Sequence, residues 1–178
     1  GTKYKPFNYY GSRTAKEVII AMGSVCDCAE EVVDYINRRK DNNKVGIIEV
    51  HLYRPFSTKY LLKVLPKSVE KISVLDRTKE PGAVGEPLYN DVVTALADTK
   101  FKDVLVYGGR YGLGSKDVQP GDILAVFENM WEDKINAKKE FTISINDDVT
   151  HLSLTPSEYP DTQPSGVTAC KFWGLGAD

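Results

Sequence analysis

Ile72-Ser73-Val74-Leu75-Asp76-Arg77-Thr78-Lys79-Glu80-Pro81-Gly82-Ala83-Val84-Gly85-Glu86-Pro87-Leu88-Tyr89 is the stretch whose reading decides the fold. A short apolar run breaks into a charged cluster and passes through proline and glycine. It then enters the helical spacing of Leu88, Val92, Val93 and Leu96. That order reads as strand, loop, helix. In an open α/β sheet, the loop leaving the carboxyl end of a strand is where ligands and partner domains are met. Gly82 and Gly85 permit positive φ or a close approach of the backbone. Pro87 suits the first turn of a helix, where its missing N–H costs nothing.

The same alternation extends on both sides. Glu17 to Met22 is short, branched and apolar, as a buried strand should be. Gly23-Ser24 ends it, and Val25 to Arg39 carries Ala29, Val32, Val33 and Ile36 at helical spacing, with Ser24 as N-cap and Asp27 in the first turn. Asn42-Asn43 reads as the turn out of that helix. Val45 to Leu52 is the next strand, with Arg54-Pro55-Phe56-Ser57 at its carboxyl end, followed by a short helix from Thr58 to Leu65. After the strand Lys71 to Leu75 and its loop come a helix from Glu86 to Ala97 and a strand from Asp103 to Tyr107, which Gly108-Gly109 terminates. Arg110 to Gly121 is a glycine-rich loop. Asp122 caps a helix from Ile123 to about Ala137, and Phe141 to Ile145 alternates like an edge strand.

Strand–helix alternation with short links predicts an α/β fold: an open, mostly parallel sheet with helices on both faces, plus a C-terminal extension. Right-handed crossovers then bring Ser24, Arg54 and the loop from Thr78 to Gly85 to one edge of the sheet. The expected division is an N-terminal arm over 1–16, the α/β domain over 17–137, and an extension and linker over 138–178. Lys, Asn and Gly in the arm argue against a regular element there, despite Tyr4, Phe7, Tyr9 and Tyr10. Pro156, Pro160, Pro164 and Gly166 give the extension a linker composition.

Composition narrows the function. The 178 residues are 42% hydrophobic and 27% charged, as expected of a globular chain. A net charge of -2 gives no electrostatic reason for a nucleic-acid or membrane partner, and no apolar run approaches a membrane span. The cysteines Cys26, Cys28 and Cys170 are three, an odd number at irregular spacing, which points to packed thiols in a reducing compartment such as the cytoplasm. With only two histidines, His51 and His151, a zinc or iron–sulfur set cannot be gathered.

No catalytic constellation emerges. His51 reads as a structural histidine inside an apolar strand. His151 after Asp147-Asp148 is a weak cation signature. Gly112-Leu113-Gly114 reads as a turn, since no strand leads straight into it. Gly174-Leu175-Gly176 follows the apolar run of Cys170-Lys171-Phe172-Trp173, as a first strand does before a phosphate-cradling turn, but no helix follows. The chain is therefore expected to be a piece of a longer polypeptide. Its candidate interdomain or ligand-edge residues are Ser24, Arg54, Arg77, Thr78, Lys79, Gly82 and Gly85. Each charged one has an equally plain alternative as a solvated or locally paired group; a guanidinium at Arg54 would then pin strand ends beside Asp76 or Glu86.

The segments from Lys16 to Ser24, from Val50 to Phe56 and from Val74 to Ala83 resemble the transketolase C-terminal-like domain. They are more closely similar to the second core domain of the pyruvate:ferredoxin (flavodoxin) oxidoreductases. Tyr111 to Asp117, Asn146 to Thr150 and Cys170 to Asp178 resemble that family's continuation toward its third domain. The resemblance implies a modular oxidoreductase that decarboxylates pyruvate to acetyl-coenzyme A on thiamine diphosphate with magnesium, and passes electrons through iron–sulfur clusters to ferredoxin or flavodoxin. It places those cofactors elsewhere in the polypeptide, leaving this segment with no catalytic or metal-binding residue. It also implies other domains of the same polypeptide, and a homodimer partner, as neighbours. The expected role is a non-catalytic scaffold between domains; the alternative is an autonomous module binding coenzyme A or a nucleotide, and a third reading is docking through the aromatic arm and tail.

Overall fold

A computed structural model of the chain describes residues 4–40, 43–146, 149–163, 166–168 and 170. Asn42, Asp147-Asp148, Pro164, Phe172-Trp173 and Gly174-Leu175-Gly176 lie outside the described residues, and with them the readings that rest on those positions.

The strands are β1 (Phe7–Gly11), β2 (Glu17–Ala21), β3 (Val45–Val50), β4 (Lys71–Asp76), β5 (Leu105–Arg110) and β6 (Glu140–Thr142). They form one six-stranded sheet in the order β1-β3-β2-β4-β5-β6. Every neighbouring pair is parallel except β1 with β3. The helices are α1 (Val25–Arg38), α2 (Thr58–Val64), α3 (Pro87–Leu96) and α4 (Pro120–Trp131). The expected α/β architecture is thus present.

The period-2 alternation of strand side chains sorts the core into two layers. Ile19, Ala21, Ile47 and Leu75 face α1 and α4. Val18, Ile20, Ile48, Ile72 and Val74 face α2 and α3. The central strands are consequently buried on both sides, which is why they read as continuous apolar runs. Each fully buried Ile or Leu contributes about 1.5–3 kcal/mol relative to exposure.

Several expectations need correction. Residues 7–11 form a regular antiparallel edge strand, not an irregular arm. Phe7, 1% exposed, packs edge-on to Phe56 with centroids 5.4 Å apart, and Asn8 Nδ2 donates to Glu49 Oε2 at 3.0 Å. Cross-strand pairing outweighs the low strand propensity of its Asn and Gly. Gly108 and Gly109 do not end a strand; they lie inside β5. A Cβ on Gly109 would run into the Phe141 ring and come within 2.7 Å of Leu75 Cδ2, so these glycines admit neighbouring side chains against the backbone. α4 starts at Pro120 and ends at Trp131, and Asp122 sits inside it as the third residue, where its Oδ2 accepts the Gln119 N–H at 2.8 Å. β6 spans only Glu140–Thr142. His51 lies just past β3, half exposed, with Nε2 3.4 Å from Glu49 Oε2, and is no buried structural group.

The crossovers are not all of one hand. α1 carries the chain from β2 to β3 in one direction across the sheet, and α4 carries it from β5 to β6 in the other. Both helices cover the same face, so the two connections have opposite hands. The links through α2 and α3 run oppositely to α1 on the opposite face and share its hand. The reason lies in burial: without Ile123, Val126, Phe127 and Met130 of α4, the face beside α1 would stay open. That gain outweighs the usual crossover preference.

Candidate functional site at the carboxyl edge of the sheet

β3 and β4 lie on opposite sides of β2, so the chain reverses its direction of travel at the β2–β4 boundary. Loops that leave such a boundary part toward opposite faces and open a crevice between them. Here that crevice is bounded by Ser24 after β2, Arg77 and Thr78 after β4, and Tyr111 after β5. It consists of two adjoining cavities of about 340 and 240 Å³ that share Arg77 and Tyr111.

The floor of the crevice is set by Asp76, the last residue of β4 and 5% exposed. Its Oδ1 accepts the Leu88 N–H at 2.9 Å and its Oδ2 the Tyr89 N–H at 3.1 Å. A helix start leaves its first N–H groups without intrahelical partners. Pro87 has none to satisfy, and Asp76 supplies acceptors for the next two. Burial raises the Asp76 carboxyl above its ordinary range, while these backbone donors oppose the rise.

The loop between Asp76 and α3 is closed by Glu86, also 5% exposed. Its Oε2 accepts the Glu80 N–H at 2.9 Å and its Oε1 the Arg110 Nε–H at 2.5 Å. The outer rim of the same loop is open to solvent: Arg77, Lys79, Glu80 and Gly82 are exposed, and Val84 is 90% exposed. Gly82 has φ +83 at an open turn. Gly85 is required for a different reason, since a Cβ there would sit 2.5 Å from Tyr89 Cδ1 and 2.7 Å from Asn90 Oδ1.

Arg77 makes no ion pair among the described residues and stands between the two cavities. It lies over Gly112, whose φ of +65 and missing Cβ leave room for the guanidinium; a Cβ would meet Arg77 Nε at 2.8 Å. Ser24 occupies the N-cap position of α1 with helical φ and ψ, makes no side-chain cap bond, and lines the larger cavity. Tyr111 is buried and donates to the Met22 carbonyl at 3.1 Å. Burial lifts its phenol above the ordinary value, with Arg77 opposing.

Of the residues singled out from sequence, the structure thus brings Ser24, Arg77 and Thr78 to one crevice. Arg54 is placed elsewhere: it stacks on Tyr53 at 3.9 Å and pairs with Asp91 at 2.8 Å, not with Asp76 or Glu86. Lys79, Gly82 and Gly85 belong to the rim loop and line neither cavity. Gly112, in a loop that the ligand-binding alternative includes, also lines the larger cavity; Tyr111, Lys116 and Gln119 escaped the sequence reading because β5 was ended early, which pushed them deep into a loop. The signal that locates them is the carboxyl end of β5 at Arg110.

The chain holds no assembled redox or metal centre among the described residues. No group of three or more His, Cys, Asp or Glu side chains gathers to hold a metal ion. Burial pushes the Cys26 thiol up to about 12 and the Cys28 thiol up to about 11, the opposite of what a thiolate ligand requires. Cys26 and Cys28 therefore do not fit the thiolate ligand set of an iron–sulfur cluster. No described helix is long and apolar enough to cross a membrane.

Residues 15–123 match the family model described as pyruvate:ferredoxin oxidoreductase core domain II. The chain belongs to the pyruvate:ferredoxin oxidoreductase family. Over its whole length the chain is 53% identical to a pyruvate-flavodoxin oxidoreductase of Enterobacter agglomerans and 52% identical to a pyruvate:ferredoxin oxidoreductase of Moorella thermoacetica. It covers 15% of each of those proteins. It is also 47% identical to a mitochondrial pyruvate dehydrogenase [NADP(+)] of Euglena gracilis, of which it covers 10%.

Proposed function

We propose that this chain is a non-catalytic scaffold module of a longer 2-oxoacid oxidoreductase, and that it braces neighbouring domains through the carboxyl edge of its sheet. The parent polypeptide then oxidatively decarboxylates pyruvate to acetyl-coenzyme A and passes the electrons to ferredoxin or flavodoxin. Thiamine diphosphate, magnesium and iron–sulfur clusters belong to its other domains, in a reducing compartment such as the cytoplasm. A homodimer partner and the adjoining domains of the same polypeptide are the contacts of this module. Its working unit is the α/β domain over 17–137 together with the edge strands β1 and β6 that complete its sheet, with the rest of 1–16 and 138–178 as connections.

One observation carries the bracing role. The Asp76–Glu86 loop is clamped from within by two buried carboxylates, yet presents Arg77, Lys79 and Val84 outward. A rigid loop with an exposed rim loses little entropy on docking. In the full-length enzyme, Val84→Asp with Arg77→Glu is expected to lower pyruvate-dependent reduction of ferredoxin and to lower the melting temperature of the neighbouring domain, with this domain still folded by circular dichroism. The isolated chain is expected to show no turnover with pyruvate and a dye acceptor. Turnover by the isolated chain, or an unaffected double variant, would overturn the scaffold reading.

The unpaired Arg77 between two cavities favours a second reading, in which the crevice binds an anionic ligand such as coenzyme A or a nucleotide. Calorimetric titration with each separates the readings: micromolar binding lost in Arg77→Ala supports the second, and silence leaves the first.

A further inference from the structure

Because α4 crosses to the α1 face, the outer part of β5 is left uncovered on the α3 face. A groove of about 550 Å³ runs there and wraps around the sheet edge. Tyr89, Val93 and Leu96 of α3 form one wall, with Val104 and Val106 as its floor. On the other side of the edge, Leu105 and Tyr107 face Ala137. The edge itself is open. Among the described residues, β6 pairs only with Gly108–Arg110 and Leu105–Tyr107 have no outer strand partner. An unpaired strand edge flanked by apolar side chains is a template for one more strand.

Two further features say what would lie there. The Tyr107 hydroxyl is buried without a hydrogen-bond partner among the described residues, and Tyr107 is 4% exposed on the lining of the groove. A buried hydroxyl left alone is costly, and an added acceptor removes the cost. The rim carries Lys102, Lys134 and Lys139, none of which makes an ion pair among the described residues. Among the described residues, no carboxylate lines the groove.

We propose that the β5 edge at Leu105–Tyr107 receives an extended, carboxylate-bearing segment from elsewhere in the full-length polypeptide, added as a strand. Main-chain bonds to β5 supply its register, alternate apolar side chains fill the groove, and Asp or Glu side chains pair with the rim lysines. The proposal shares with the scaffold reading only the premise that the chain works inside a longer protein, and it concerns a different surface from the carboxyl-edge loop.

The test uses the full-length enzyme. Carbodiimide activates a carboxylate, and the neutral amine of a lysine in contact with it displaces the urea to form an amide, which peptide mass spectrometry reads. The expected result is Lys134 or Lys139 joined to Asp or Glu in one segment outside this chain's sequence, with amide exchange of that segment and of Leu105–Tyr107 both slow. Lys134→Glu with Lys139→Glu should abolish the cross-link and speed exchange of the segment about tenfold, the worth of roughly two partly exposed ion pairs. Both side chains are solvent-exposed, so this variant is expected to keep the domain folded. Free acetylation of all three lysines with no cross-link, or exchange unchanged in the variant, would overturn the proposal. So would a cross-link to this same domain in a second copy, which would mean edge-to-edge pairing. The cross-link is read whether or not the enzyme turns over, so its failure is separate from failure of the scaffold reading.

Discussion

Arg110 Nε lies 2.5 Å from Glu86 Oε1, between side chains that are 16% and 5% exposed. The pair ties the carboxyl end of β5 to the entry of α3 and fixes the stem of the rim loop. Glu86 also holds the Glu80 N–H, so the carboxylate serves two strands of chain at once. Removing one partner of a buried pair leaves an uncompensated charge and costs about 3–5 kcal/mol, more than the pair itself is worth. Arg110→Ala, which strands the buried Glu86 carboxylate, is expected to lower stability by that order in urea unfolding, and Glu86→Ala by less, because Arg110 keeps Glu140 at 3.6 Å. Glu86→Ala should in addition raise protease sensitivity between Arg77 and Gly85, where Arg110→Ala should do so less. Equal cleavage in both would show that the Glu80 bond does not hold the loop.

Asp76 gives the fold a dependence on pH. Its carboxyl is raised by burial against the pull of the Leu88 and Tyr89 N–H groups. A raised value in the folded state means that folding favours the protonated form. The contribution is full below the ordinary carboxylate value of about 3.9 and is lost as pH rises through the raised folded value. Asp76→Asn keeps an acceptor and cannot titrate. The stability of the wild type minus that of the variant is expected to fall across this acidic window and to stay flat above it, measured by urea midpoints at successive pH values. A difference that rises with pH would reverse the sign of the shift.

The cysteines separate by environment. Cys26 is buried and Cys28 half-buried, with thiols raised to about 12 and about 11. Cys170 is exposed. At pH 8 a thiol of pKa near 11 is thiolate in about one molecule per thousand, and alkylation follows the thiolate. Timed alkylation read by mass spectrometry should label Cys170 first, with Cys28 and Cys26 modified only after denaturant is added. Early labelling of Cys28 would mean that its side of the crevice opens in solution.

How far the sequence reached can be seen at particular residues. Pro87 and the spacing of Leu88, Val92 and Leu96 are local signals, and α3 starts and ends within a residue of the expected bounds. The placement of Ser24 and Thr78 on one edge followed from strand–helix alternation, which sends the loops after parallel strands out at the same end of the sheet. Arg54 did not follow, because its choice of Asp91 over Glu86 depends on the stacking of its guanidinium on Tyr53. β1 was missed because its stability comes from pairing with β3, some 40 residues away in sequence, and from Phe56 under Phe7. The hand of the β5–α4–β6 link was not legible, because it is set by which face of the sheet still lacks cover.

Gly109 shows the same separation of local and distant causes and permits a sharp test. Read locally, two adjacent glycines stop a strand. In the folded chain Gly109 pairs with Leu75 on one side and Phe141 on the other, in the middle of the ladder. The Phe141 ring lies over the position a Cβ would take, and Leu75 Cδ2 is 2.7 Å from it. Phe141 is fully buried, so the ring has no free space to move into. Gly109→Ala should therefore overpack this point and cost about 1–3 kcal/mol, despite the lower entropy of alanine in the unfolded chain. Phe141→Leu alone removes volume and also destabilises. The two together should cost less than their sum, because the smaller side chain vacates the space that the new methyl needs. Urea unfolding of the wild type, both single variants and the double variant closes the cycle. Additive costs would mean that Gly109 is tolerated in β5 rather than required by the ring above it.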